Sequence, residues 1–202
     1  MRPPQVFSAG LDLNEMYNVP ERQFLRFWAD CESLWHTLYL TPIATVAAIE
    51  SHAPAGGSIL ALSCDYRVLV ETESVKMGLN EAAIGMVAPR WLQAMCANTV
   101  GTRNAEFLLQ TGMMMTPNEA LAYGFVDDTR AVDDVMPRCI EVLEALAPVP
   151  MAARHQTKVQ QRERIAALAG SSSARELWAV LQSDECKHNL KLTMERLSSR
   201  KK

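Results

Sequence analysis

Three short stretches carry residues whose types and spacing suit acid–base chemistry on a carbonyl compound. The first is Ser8-Ala-Gly-Leu-Asp12, a glycine turn after Val6-Phe7 that could expose the Leu11 N–H. The second is Ala53-Pro-Ala-Gly-Gly57, between an apolar, β-branched run at 43–49 and an apolar run from Ser58. The first turn of a helix carries unpaired N–H groups and partial positive charge, so the Gly56 amide could hold a developing oxyanion. The third is Gly78-Leu-Asn-Glu-Ala-Ala-Ile-Gly85, which sets one carboxylate, Glu81, among apolar neighbours. Two backbone donors and one carboxylate can abstract a proton α to a carbonyl. The donors stabilise the enolate oxygen and the carboxylate takes the proton. An apolar setting raises a carboxyl pKa toward neutrality, which suits a base that must return its proton. Each stretch also has a plain structural reading. Gly56-Gly57 reads as a tight strand-to-helix turn, and Glu81 as a carboxylate meeting a helix dipole.

The elements that must position these residues read as follows. Val6-Phe7 looks like a strand end and 13–17 a short helix. After Pro20, Phe24, Trp28, Cys31, Trp35 and Leu38 recur at three- and four-residue steps, an amphipathic helix stopped by Thr41-Pro42. Strand 43–49, the glycine turn, a helix, strand 65–70 and a short strand 75–78 then alternate in an α/β pattern. The near-continuous apolar character of 43–49 predicts a strand buried on both faces. Pro89 fits the first position of a helix over 90–97, and Thr102 fits the N-cap of one over 103–111 ended by Gly112. Thr116-Pro-Asn-Glu119 reads as a capping box opening a helix that Gly124 ends. Phe125-Val126 reads as a short strand, followed by a helix over 133–146. Pro148 and Pro150 mark a boundary between a core at 1–147 and a polar helical region at 148–202, where Gly170-Ser-Ser-Ser173 separates two helices.

Composition narrows the classes. A chain of 202 residues with 49% hydrophobic and 21% charged residues has the make-up of a globular protein with a real core. A formal net charge of −3 gives no reason to expect nucleic acid as a partner, and no apolar run approaches a membrane span. Five scattered cysteines without CxxC spacing read as reduced thiols rather than disulfides or a zinc site. Four histidines in no HxH or HExxH pattern predict no metal. Residues 1–7 contain neither an apolar signal core nor an amphipathic presequence, and Lys201-Lys202 reads as a solvated tail.

Taken together, FSAGLDL, PAGG, CDYRVL, GLNEAAIGMVAP and TGMMMTPNEALAYGFVD, in this order and spacing, resemble the crotonase (enoyl-CoA hydratase/isomerase) superfamily. The likeness covers essentially the whole chain and is greatest to its Δ3,Δ2-enoyl-CoA isomerases. It implies an α/β core of stacked ββα units with a helical C-terminal region that makes a trimer or hexamer. It also implies an acyl-CoA substrate, no separate cofactor, no metal and a mitochondrial matrix setting. Leu11 and Gly56 would supply the oxyanion-hole amides, and Glu81 would be the single acid/base that moves a proton from C2 to C4 of a 3-enoyl-CoA. Ser8, Ala9, Gly10, Leu11, Asp12, Gly56 and Asn80 would contact the thioester and pantetheine arm. Met86, Val87, Pro89 and Trp91 are candidates for acyl-chain lining or for core. Hydratases of the family place a second glutamate three residues after the oxyanion glycine. That position is Ile59 here, which favours isomerisation over hydration. Members of the family also carry a strand–strand–helix–strand segment ahead of the motif that opens here at residue 8. The resemblance thus implies a shortened chain with an uncovered sheet edge. It leaves open another crotonase reaction, such as hydration or thioester hydrolysis, and an inactive oligomer partner.

Overall fold

The computed structural model describes residues 6–199. The N-terminal stretch 1–5 and the Lys201-Lys202 tail lie outside the described residues. A 3-10 turn, Leu13–Glu15, leads into helix α1, Glu21–Tyr39. Its inward face is Phe24, Trp28, Glu32, Trp35 and Tyr39, so Glu32 and Tyr39 are buried while Cys31 and Leu38 are half-buried. The correction has a chemical cause. The Trp28 and Trp91 indole N–H groups both donate to Glu32 Oε1, at 3.0 and 3.1 Å, and the Gly170 N–H donates to Oε2 at 2.9 Å. A buried carboxylate with three donors is tolerable where an unpaired one is not.

Strand β1, Val46–Ile49, is followed by β2, Ala53–Pro54, helix α2, Gly56–Ser63, and strands β3, Tyr66–Val70, and β4, Met77–Gly78. A third strand of the main sheet, β5, is Asp128–Arg130. The expected strand at Phe125-Val126 is instead part of the turn before it, with both N–H groups bonded to the Ala120 carbonyl at 2.8 and 3.2 Å. The main sheet is parallel in the order β1-β3-β5, with Val46 opposite Tyr66 and Val68 opposite Asp128. β2 and β4 form a separate parallel pair. Parallel pairing requires crossovers, and α2 supplies the one from β1 to β3.

Helices α3, Arg90–Val100, α4, Thr102–Thr111, and α5, Pro117–Ala122, follow. Pro89 is the N-cap of α3 rather than its first residue, and Gly101, one position before the expected Thr102, is the N-cap of α4. The capping box on α5 is present, with Thr116 and Glu119 bonded reciprocally. Helix α6, Val135–Leu146, packs on β1 and β3. The C-terminal region contains three helices rather than two: α7, Met151–Ala166, α8, Ser171–Leu181, and α9, Asp184–Ser199. The serines at 171–173 open α8 instead of separating helices.

Helix α7 is fastened to the core by charge. Arg154, Lys158 and Arg162, one turn apart, converge on Asp65, with Lys158 Nζ at 2.7 Å and Arg162 at 3.1 Å. Lys158 also donates to the Thr41 and Ile43 carbonyls, both at 3.0 Å, and Arg162 to those of Tyr39 and Ser63 at 2.8 and 3.2 Å. These carbonyls lie at or just beyond the C-terminal ends of α1 and α2, where the helix dipole is negative and cations are favoured. Asp65 is the one carboxylate among the three cations. Asp65→Ala is therefore expected to cost about 3 kcal/mol, the lower end for breaking a buried pair, because Asp65 keeps some solvent contact. A urea midpoint unchanged from the parent would refute this.

Candidate active site

Three chain segments run parallel into one end of the small sheet. Val6 bridges His52 in parallel, with the Phe7 N–H donating to the His52 carbonyl at 2.8 Å. β2 in turn pairs with β4 in the register Ala53–Met77 and Pro54–Gly78. Because all three share a direction, residues 8–11, 55–57 and 79–81 leave from the same carboxyl end, the usual ligand side of parallel strands. Ser58 locks two of these exits together. Its buried hydroxyl donates to the Ala53 carbonyl at 2.6 Å and accepts the Gly78 N–H at 2.9 Å. The sequence reading missed Ser58. A hydroxyl three residues into a helix carries no local sign that it will bridge two strands.

Glycines bring the first two exits into contact. A Cβ on Gly56 would stand 2.8 Å from the Gly10 Cα and 3.2 Å from the Leu11 nitrogen, and one on Gly10 would stand 3.0 Å from the Gly56 nitrogen. The Leu11 and Gly56 amides are thus side by side. Neither donates to a protein acceptor among the described residues. Gly57 is packed as closely, since a Cβ there would overlap the Ser8 carbonyl oxygen. Between strand and helix, Ala55 takes φ 44° and ψ −113°, a left-handed-side conformation that costs a non-glycine residue about 1–3 kcal/mol. Its N–H bonds the Gly78 carbonyl at 2.8 Å and its carbonyl accepts the Ile59 N–H at 3.0 Å, which holds the strained turn. This turn aims the Gly56 N–H.

Glu81 lies where the β4 exit meets the protein interior. It is 7% exposed, and its Oε2 is buried with no hydrogen-bond partner among the described residues. Burial pushes its carboxyl from an ordinary 4.5 up to about 7, offset a little by its own backbone N–H. The Cys96 thiol of α3 faces the same charge. Burial and the Glu81 charge hold it neutral, up to about 12. Beside Glu81, the Asn80 Oδ1 is likewise buried and unpartnered.

Other sequence candidates divide. Asp12 caps the 3-10 turn through the Asn14 N–H at 2.9 Å, Ser8 Oγ accepts the Gly10 N–H at 3.3 Å, and Ala9 is exposed. Trp91 belongs to the core, stacked on Trp35 at 4.1 Å and bonded to Glu32. Met86 is buried, Val87 is exposed and Pro89 caps α3. Ile59 is half-buried against the core. No group of three or more metal-ligating side chains occurs among the described residues, and no helix there is long and apolar enough to cross a membrane.

Residues 3–196 match the enoyl-CoA hydratase/isomerase family, and the chain belongs to it. Mouse enoyl-CoA delta isomerase 1, mitochondrial, is 35% identical over 201 residues, spanning 98% of this chain and 70% of that protein. The human counterpart is 34% identical over 98% of this chain and 67% of its own length. The crystal structure of human mitochondrial delta3-delta2-enoyl-CoA isomerase superposes with a TM-score of 0.94 at 33% identity, covering all of this chain and 79% of that one. The fold is crotonase-like.

Proposed function

We propose that this chain is an enoyl-CoA isomerase that converts 3-enoyl-CoA, cis or trans, into trans-2-enoyl-CoA during oxidation of unsaturated fatty acids. The observation that carries the reading is the lone, unpartnered Glu81 carboxyl at the exit that also presents the Leu11 and Gly56 amides. The thioester oxygen binds between the two amides. Glu81 removes a C2 proton, the electron pair moves into a dienolate, and the negative charge settles on that oxygen. Glu81 then delivers its proton to C4, leaving the double bond between C2 and C3. A carboxyl near neutrality does both steps with little bias. Ser8, Ala9, Gly10, Asp12 and Asn80 border the thioester and pantetheine arm. CoA arrives with the substrate, and no separate cofactor enters the reaction.

The missing second carboxylate supports isomerisation over hydration. Ile59 occupies the position from which a hydratase of the family would orient its water. The names of the mouse and human relatives support a mitochondrial setting, and the family resemblance supports assembly as a homotrimer or hexamer. The test is to assay 3-enoyl-CoA isomerisation and 2-enoyl-CoA hydration side by side. Isomerisation is expected to be about 10²-fold faster or more, the lower end of what one positioned acid/base group contributes. Comparable rates would overturn the assignment.

A further inference from the structure

The turn that carries Glu81 is wedged between two helices that the chemistry does not use. Its backbone closes on itself, with the Glu81 carbonyl accepting the Ile84 N–H at 3.0 Å and the Met86 N–H at 2.9 Å. On one side lies the end of α4, where a Cβ on Gly112 would stand 2.8 Å from the Ala83 nitrogen. On the other lies α9. A Cβ on Gly85, which has φ 76°, would stand 2.7 Å from Asn189 Nδ2 and 3.4 Å from the Cys186 Cα. Asn189 falls between Cys186 and Leu190, the two buried anchors of α9. Gly85 is suited to its positive φ, and its missing side chain also leaves the room in which Asn189 seats against the turn, with the Asn189 Cβ 3.3 Å from where a Cβ on Gly85 would stand.

From these contacts we infer that Asn189 is a positioning residue for Glu81. By pressing on Gly85 it fixes the closed 81–86 turn and keeps the carboxyl inside the protein. The inference rests on Glu81 being the acid/base. Any displacement at residue 85 passes through the two hydrogen bonds to the Glu81 carbonyl, since they share one turn. Ionisable groups placed against this assembly include the neutral Cys96 thiol from α3 and Cys186 from α9, whose own pKa is raised by burial and by Glu185.

Two measurements test it. In the first, the Glu81 carboxyl is titrated by ¹³C NMR in the parent and in Asn189→Ala, without substrate. The proposal expects the midpoint to fall by at least ~0.5 unit as water reaches the loosened turn. An unchanged midpoint overturns it, whatever the enzyme does. In the second, kcat is measured for Gly85→Ala, Asn189→Ala and the double variant. Gly85→Ala should lose about 10-fold or more in kcat with less change in KM, because a misplaced base damages the transition state first. The double variant should recover part of that loss, since shortening Asn189 makes room for the new methyl. Strictly additive losses overturn the proposal. A normal titration response in a chain whose Glu81→Gln variant remains active would sink the isomerase reading and leave the positioning intact.

Discussion

Glu81→Gln is expected to lower kcat for 3-enoyl-CoA isomerisation by about 10²–10⁴-fold, the usual worth of a positioned acid/base. The amide keeps the shape and cannot exchange a proton. KM should move little, because Gln leaves the two backbone donors in place. The same variant should be more stable than the parent at pH 8. Folding raises the Glu81 pKa from an ordinary 4.5 to about 7, so the native state holds the proton more tightly than the unfolded chain. The stability contributed by the neutral carboxyl is complete below 4.5 and lost as pH rises through 7. At pH 8 the parent buries a charge with an unpartnered oxygen, and the variant does not. The gain should be on the order of 2–3 kcal/mol at pH 8 and near zero at pH 4.5. Parent kcat/KM should fall below pH 7, as protonation removes the base. An active Glu81→Gln, or one with no stability gain at pH 8, would refute the account.

Gly57→Ala is expected to lower kcat by about 10²–10³-fold, the loss seen when an oxyanion donor is removed. The reasoning turns on which partner yields. The new methyl would overlap the Ser8 carbonyl. Inside α2, Ala is favoured over Gly by about 1 kcal/mol, so the helix has no reason to give way. The 8–10 loop does, since Ala9 is exposed and no regular element holds it. Moving that loop carries the Leu11 N–H away from the Gly56 N–H and splits the donor pair. The melting temperature should change little or fall, since the displaced Ser8 oxygen is backbone, while kcat collapses. Parental kcat would show that the two amides do not act as a pair.

Local chemistry was readable wherever a residue's partner lies nearby in the chain. Thr116 and Glu119 cap each other at three residues' distance, and their pattern announced the helix. The aromatic face of α1 followed from its period, yet Glu32 defeated the hydrophobicity rule. Of the three donors that offset its burial cost, only Trp28 is local; Trp91 and Gly170 lie 59 and 138 residues away. Asp65, with its three cations from α7, went unnoticed for the same reason. Phe125-Val126 had the composition of a strand but the hydrogen bonds of a helix end, which only the Ala120 carbonyl decides. At the site, Gly56 and Glu81 were visible as residue types. That Gly10 and Gly56 nearly touch depends on the pairing of Val6 with His52 and of β2 with β4. No single-segment pattern encodes that pairing.

In the proposed mechanism both oxyanion donors are main-chain N–H groups, and this has a consequence for how the protein can vary. The two differ in tolerance: the Leu11 donor survives almost any exchange of its side chain, whereas a Cβ on Gly56 would stand 2.8 Å from the Gly10 Cα. At position 11 every amino acid except proline keeps the hydrogen atom in place, so the leucine is free to change wherever its packing against the core allows. The vulnerable positions are the three glycines packed together there, Gly10, Gly56 and Gly57, where a single methyl is already too much. In lineages derived from this chain, drift at residue 11 should thus accompany retained catalysis, and change at residue 10, 56 or 57 its abandonment.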